Sequence, residues 1–61
     1  MKIHSIWYRS VLMEDESLWC ESSSLKEVMR MSAGKNAIIQ EYVTYLTQGE
    51  WNTIDETYAD E

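Results

Sequence analysis

The sequence predicts an α+β fold: a small antiparallel three-stranded sheet in the order β-β-α-β, covered on one face by one helix. Three observations support this prediction. Residues 2–22 contain two strand-like runs joined by an acidic turn. A helical pattern with capping residues begins at Ser24, and residues 50–58 add another strand-like pattern. Consecutive elements tend to be neighbours in space, so the helix is expected to pack on the sheet.

The chain of 61 residues is expected to form one small domain, residues 1–61. A domain of this size buries only about 60% of the surface that its unfolded chain exposes. Cys20 is the only cysteine, so a disulfide within the chain is excluded. One cysteine and one histidine cannot supply the four ligands of a structural zinc ion. We therefore expect neither metal nor cofactor, and expect stability to come from packing or from a partner subunit.

The balance of charge limits the classes of partner. Five basic and eleven acidic residues give a net charge of −6. Nucleic-acid binding requires clustered Lys and Arg that neutralise phosphates, and here the basic residues are scattered among acids. Direct binding to nucleic acid or to an anionic membrane is therefore not expected. A protein with a basic surface is a suitable partner, since long-range attraction would speed association.

The expected location is the cytoplasm. The sequence contains no apolar run near the roughly 18 residues that a membrane-spanning helix needs. Its beginning lacks the basic and apolar regions of a signal peptide. An unpaired cysteine is typical of a reducing compartment.

The hairpin of residues 2–22 depends on its register. If Met13 lies opposite Leu18, then Val11 lies opposite Cys20, and directly opposed residues share a face of the sheet. In this register the core face carries Ile3, Trp7, Val11, Met13, Leu18 and Cys20. The other face carries His4, Ile6, Tyr8, Leu12, Trp19 and Glu21. A slip of one residue would exchange the faces of one strand relative to the other.

A helix is predicted to begin after Ser24. Ser24 and Glu27 have the spacing of a capping box, in which the Ser side chain accepts a hydrogen bond at the helix start. Leu25, Val28, Met29 and Ser32 then follow at helical spacing. Gly34 predicts a stop or break, because glycine is favoured just after a helix ends.

Residues 35–48 are ambiguous between helix and strand. The apolar positions 38, 39, 42, 43 and 46 form one helical stripe, and this pattern favours a helix with Gly49 just beyond its end. The content of β-branched residues and tyrosine favours a strand instead. In that alternative, Gln48 and Gly49 would form a hairpin turn. We expect the helix.

Residues 50–58 are predicted to form the last strand. Alternation places Trp51, Thr53 and Asp55 on one face, with Ile54 and Tyr58 on the other. Residues 59–61 are expected to be frayed.

Enzymatic activity is not expected. A catalytic histidine needs a nucleophile and an orienting carboxylate within reach, and the register above separates His4 from Cys20. Acidic pairs such as Asp55 and Glu56 could bind a divalent cation, but the calcium-loop pattern is absent and a solvated charge run is the simpler interpretation. Neither glycine lies in a phosphate-binding loop.

The predicted architecture leaves one face of the sheet uncovered. A contiguous exposed apolar patch usually marks an interface, and Tyr and Trp are frequent among the residues that dominate binding energy. The predicted partner-binding anchors are Ile6, Tyr8, Leu12 and Trp19. The predicted acidic rim consists of Glu14, Asp15, Glu16, Glu21, Asp55 and Glu56.

Two segments resemble the Dmd antitoxin family of T-even phages. One is the hairpin turn Asp15-Glu16-Ser17-Leu18-Trp19. The other is the run Glu41-Tyr42-Val43-Thr44-Tyr45-Leu46 that leads into Thr53-Ile54-Asp55. The resemblance covers most of the chain in pattern, with few identities, and it departs in residues 22–35. It implies a phage-encoded inhibitor that binds a host toxin endoribonuclease and blocks its active site.

The expected function is therefore a small acidic inhibitor that works in the host cytosol. It would bind a nucleic-acid-acting defence protein with a basic surface, such as a toxin endoribonuclease, another nuclease or a CRISPR effector. The alternative is a structural or regulatory homodimer whose open sheet face is the dimer interface.

Overall fold

The structure is a computed structural model that describes residues 3–45 and 48–59, without the side chains of residues 3–5, 45 and 48. The elements in chain order are β1 (Ile3–Leu12), β2 (Leu18–Ser22), α1 (Leu25–Ser32), β3 (Ala37–Tyr45) and β4 (Gln48–Thr57). The strands form one antiparallel sheet in the order β2-β1-β3-β4. The predicted α+β class, with one helix and an antiparallel sheet, is confirmed. The sheet has four strands, so the prediction of three was wrong.

The additional strand is β3, where a helix was expected. β3 is a central strand between β1 and β4, and both of its faces carry apolar side chains. Ile39 and Val43 are buried on one face, and Ile38 and Tyr42 are half-buried on the other. Apolar residues on both faces of a central strand produce adjacent apolar pairs that mimic a helical stripe. The strand alternative was therefore right.

The predicted hairpin turn after β3 was misplaced. Gln48 and Gly49 belong to β4, where they pair with Tyr45 and Thr44. Positions 46 and 47, including the predicted apolar position Leu46, lie outside the described residues. The expected fraying concerned residues 59–61, of which only Ala59 is described.

Local signals at both ends of α1 predicted its position correctly. The Ser24 side chain accepts a hydrogen bond from the backbone N–H of Glu27 at 3.4 Å. The reciprocal half of the capping box is replaced, since the N–H of Ser24 donates to Oγ of Ser22 at 3.0 Å. Ala33 caps the other end, and Gly34 follows with φ of +81°. This left-handed conformation favours glycine and ends the helix.

The core lies between α1 and one face of the sheet. Among the side chains that the structure describes, the buried apolar residues are Val28, Ala37, Ile39 and Val43. Two serines, Ser10 on β1 and Ser32 on α1, are fully buried among them. Because the Ser32 hydroxyl lies 2.7 Å from Oγ of Ser10, this side of the sheet is the one that faces the helix.

The register of the first hairpin differs from the predicted one, by two residues at Val11 and Leu18 and by one residue at Ser10 and Cys20. Ser10 pairs with Cys20, and Val11 pairs with Leu18. Two local features cause the shift. Glu16 adopts φ of 61°. The N–H of Leu12 donates to the carbonyl of Ser17, and the N–H of Glu16 donates to the carbonyl of Leu12, both at 2.9 Å. Trp19 is then the extra residue of a β-bulge, which changes the register of the strand that contains it.

The prediction also placed the core on the wrong face of β1. Ile6, Tyr8 and Leu12 share the helix-facing side with Ser10, and Cys20 joins them through its pairing with Ser10. The side chains that lie on the opposite, uncovered face include Trp7, Val11 and Leu18, which were assigned to the core. The predicted positions of the Ile3 and His4 side chains lie outside the described residues.

A second bulge lies in β4. Thr53 pairs with Gln40 and Asp55 pairs with Ile39, so Ile54 is the extra residue. Asp55 therefore lies on the helix-facing side, and the prediction that it shares a face with Trp51 and Thr53 was wrong.

Candidate interaction surface

The sheet face opposite α1 is called the open face below. Three rows of described side chains cross the strands on this face. The strand register defines the rows. The first row contains Leu18, Val11, Ile38 and Glu56. The second contains Glu21, Arg9, Gln40 and Thr53. The third contains Trp7, Tyr42 and Trp51. The open face thus has an apolar row and an aromatic row, separated by a polar row.

The aromatic row is held by direct contacts. The rings of Tyr42 and Trp51 have centroids 4.9 Å apart and are tilted by 50°. The Tyr42 ring also covers Gly49, where an added Cβ would collide with the ring and its hydroxyl. Trp7 is 39% exposed, and its Nε1–H donates to Glu21 at 2.8 Å. Aromatic rings held in a fixed geometry are suitable anchors for a partner protein.

Arg9 occupies the middle of the polar row. Its Nε donates to Oε1 of Gln40 at 2.7 Å, and its guanidinium carbon lies 4.0 Å from the ring centroid of Trp51. Gln40 in turn donates to Thr53 at 3.4 Å. These contacts hold a cation between the apolar and aromatic rows.

A depression of about 420 Å³ lies over the apolar row. Its lining residues are Arg9, Val11, Met13, Glu16, Leu18, Ile38 and Gln40. Leu18 is 53% exposed at its edge. The depression offers an apolar floor, with a cation on one side and a carboxylate on another.

Acidic side chains surround the open face. Glu21 lies on the edge strand β2, Glu56 lies on the other edge strand β4, and Glu16 lies at the hairpin turn. The hydroxyl of Tyr58 donates to the carboxylate of Glu56, and this hydrogen bond raises the pKa of Tyr58. The arrangement places negative charge on both edges of the sheet.

Asp15 has a structural role in the turn. Its Oδ1 accepts hydrogen bonds from the N–H of Ser17 at 3.1 Å and from Oγ of Ser17 at 2.7 Å. These bonds to the charged form lower the pKa of Asp15 below its ordinary value. Glu14 is exposed in the same turn.

Trp19 was expected on the open face and lies against the helix. Its Nε1–H donates to the carbonyl of Met31 at 2.9 Å, and Nζ of Lys35 lies 4.3 Å from its ring centroid. Trp19 is 42% exposed, but its hydrogen bond connects the C-terminal end of α1 to β2.

Part of the predicted acidic rim lies on or beside the open face, whereas the predicted anchors do not. Glu21 and Glu56 lie on the open face and Glu16 lies at its end, whereas Asp55 faces the helix side. None of the four predicted anchors, Ile6, Tyr8, Leu12 and Trp19, lies on the open face. The apolar and aromatic residues that do lie there on β1 and β2, Trp7, Val11 and Leu18, were predicted to share one face, but that face was assigned to the core. Those on β3 were hidden by the helical interpretation of that segment.

The described residues contain no group of three or more His, Cys, Asp or Glu side chains placed to hold a metal ion. No helix among them is long and apolar enough to cross a membrane. A scan of protein-family models and searches of curated proteins and of solved structures found no match to this chain.

Proposed function

We propose that this chain is a small acidic inhibitor that binds a protein with a basic surface through the open face. The observation that carries the proposal is the combination of exposed Trp7 and Leu18 with acids on both edges of the same sheet face. Apolar and aromatic side chains exposed on one sheet face are typical of an interface. The acidic rim and the net charge of −6 favour a basic partner.

The class of partner follows from the charge. Proteins that act on nucleic acid carry basic surfaces that neutralise phosphates. An acidic domain that covers such a surface would exclude the substrate sterically. The resemblance to phage antitoxins supports the same class, in which a phage protein in the host cytosol inhibits a host defence nuclease or toxin.

The test is capture of a partner from host cytosol with two matched variants. Leu18→Ser removes an apolar side chain from the open face, where Leu18 is 53% exposed. Met31→Ser is the control, because it removes an apolar side chain of nearly equal exposure, 51%, from α1. We expect capture of a nucleic-acid-acting protein by the wild type and by Met31→Ser, and at least tenfold weaker binding by Leu18→Ser, about 1.4 kcal/mol. Equal loss in both variants, or capture of only non-basic proteins, would contradict the proposal.

The steering role of the turn is tested by kinetics. Glu14→Lys with Glu16→Lys reverses charge beside the open face and leaves Asp15 to hold the turn. Glu50→Lys is the control, because its pairing with Val43 places it on the helix-facing side. We expect the double variant to slow association and to weaken its salt dependence more than the control does. An association rate that both changes affect equally would remove the steering role.

The alternative function, a homodimer that buries the open face, is favoured by the small size of the core. Single cores of this size rarely supply more than ~3–5 kcal/mol, and self-association is one way to add stability. Light scattering decides between the two functions. A dimer that dissociates on Leu18→Ser and persists in Met31→Ser supports the alternative, whereas a monomer excludes it.

A further inference from the structure

We propose that Arg9 binds a carboxylate of the partner, an Asp or Glu side chain at the centre of the partner's basic surface. This inference rests on the proposed function and names the chemistry at the centre of the contact. It is carried by the geometry around Arg9, which holds the guanidinium in place and leaves part of it without a partner.

The guanidinium is held from two sides. Its Nε is used by Gln40, and its plane is positioned against Trp51. Among the described residues its two terminal nitrogens donate no hydrogen bond, and Arg9 forms no ion pair there. Glu21 lies directly opposite Arg9 across β1 and β2, but its carboxylate accepts from Trp7. Arg9 is therefore a positioned cation with free donors.

A partner that covers the open face removes water from these donors. A charged donor that loses water without gaining an acceptor costs free energy, so the contact requires an acceptor at this point. A carboxylate is the best match, because its two oxygens fit the guanidinium fork and the bonds are charge-assisted. The depression beside Arg9 has Val11 and Ile38 in its lining and accepts an apolar side chain next to that carboxylate.

The charge pattern of the open face points to the same partner. A cation lies at its centre, and acids lie on its edges and at its turn. The complementary surface is basic around an acidic centre. That pattern is found where a protein holds a divalent metal ion through carboxylates and binds phosphates with basic residues around them. Arg9 would then occupy the place of the metal ion.

A test that needs no identified partner uses two small probes. The probes are acetyl-Leu-Asp-amide and acetyl-Leu-Asn-amide, which differ only in carboxylate against neutral amide. Binding is followed by NMR at the Arg9 Nε–H and the Trp51 indole N–H. We expect the Asp probe to bind at millimolar concentration and to shift both signals, and the Asn probe to bind about tenfold more weakly. Equal shifts with both probes, or none, would overturn the inference.

Two variants complete the test. Arg9→Met keeps an unbranched stem against Trp51 and removes the guanidinium, and Arg9→Lys keeps the charge and removes the fork. We expect the Asp probe to lose its advantage in Arg9→Met and to keep part of it in Arg9→Lys. The NMR dispersion of each variant checks that it folds. A third probe, acetyl-Leu-Ala with a free carboxyl end, tests a chain terminus as the source of the carboxylate, and stronger binding than the Asp probe would overturn the side-chain assignment.

The same variants separate this inference from the proposed function. If Leu18→Ser abolishes capture of a basic partner and Arg9→Met does not, the open face binds a partner and the role of Arg9 is wrong. If neither variant affects capture while the Asp probe still requires Arg9, the carboxylate site exists and the proposed interface is wrong.

Discussion

Ser10 and Ser32 place their hydroxyl oxygens 2.7 Å apart in the fully buried layer between β1 and α1. Oγ of Ser32 also lies 2.8 Å from the carbonyl of Val28. A hydroxyl has a single hydrogen, so the arrangement that satisfies both serines has Ser10 donating to Ser32 and Ser32 donating to the Val28 carbonyl. This pair connects α1 to β1.

Removal of Ser32 should cost more than removal of Ser10. Ser32→Ala leaves the Ser10 hydroxyl buried without an acceptor, and an unsatisfied buried group costs about 1–3 kcal/mol. Ser10→Ala leaves Ser32 bonded to Val28, so we expect a loss below about 1 kcal/mol. The double variant should be more stable than Ser32→Ala alone. Urea unfolding of the three variants measures the differences, and additive losses would contradict the pairing.

Gly49 should tolerate no side chain while Tyr42 keeps its position. An added Cβ would collide with the Tyr42 ring and lie 3.0 Å from a methyl group of Thr44. Gly49→Ala should therefore displace Tyr42 from Trp51 and reduce the free energy of unfolding by about 1–3 kcal/mol.

The control for that prediction is Gly34→Ala. No atom lies within 4 Å of a Cβ at Gly34, so the cost there is only the strain of φ +81°, about 1–2 kcal/mol. Tyr42→Leu should relieve much of the Gly49→Ala loss and none of the Gly34→Ala loss. Thermal unfolding of the paired variants checks this, and equal rescue at both positions would refute the contact.

Trp19 should contribute to stability through its indole N–H. Trp19→Phe keeps an aromatic ring near Lys35 and removes the hydrogen bond to the Met31 carbonyl. We expect a loss of about 0.5–1.5 kcal/mol, the usual net value of one hydrogen bond. Trp7→Phe, which removes a bond to an exposed carboxylate, should cost less. Chemical unfolding compares the two, and a larger loss at Trp7 would reverse the assignment.

Asp15 should make stability depend on pH at the acidic end. Its folded-state pKa is lowered by hydrogen bonds from Ser17, so the charged form is favoured in the fold. Its contribution is fully present above the ordinary Asp pKa of about 3.9 and is lost as pH falls through the folded-state value. Ser17→Ala should raise the pKa of Asp15 and flatten this acid dependence. Carbon NMR titration of the Asp15 carboxyl, with Glu14 as internal control, measures the shift.

The parts of the fold that depend on residues close together in the sequence could be predicted. The cap at Ser24 and the left-handed Gly34 are local, and both ends of α1 follow from them. β3 could not be assigned in this way, because its adjacent apolar residues Ile38 and Ile39 lie on opposite faces of a central strand, and its partner strands come from distant parts of the chain. The strand conformation of β3 therefore depends on its pairing with β1 and β4.

The open face could not be assigned, because alternation in β1 gives two faces that both carry apolar residues and does not show which one α1 covers. The bulge at Trp19 adds to this difficulty, because it moves Cys20 to the face of Ser10 while Leu18 stays on the face of Val11. The predicted positions of the acidic residues Glu21 and Glu56 on the edge strands were less affected by this error. The anchors alternate strictly with the core, so their assignment was reversed.

The sheet order also has a consequence for the speed of folding. Each hairpin joins strands adjacent in the chain, whereas β1 and β3 meet only after the chain has closed a loop that contains β2 and α1. Closing such a loop costs entropy before its contacts form, and non-local pairing is slow. Folding is therefore expected to be limited by the docking of two preformed hairpins, and Ser10 and Ile39 lose contact with water in that step.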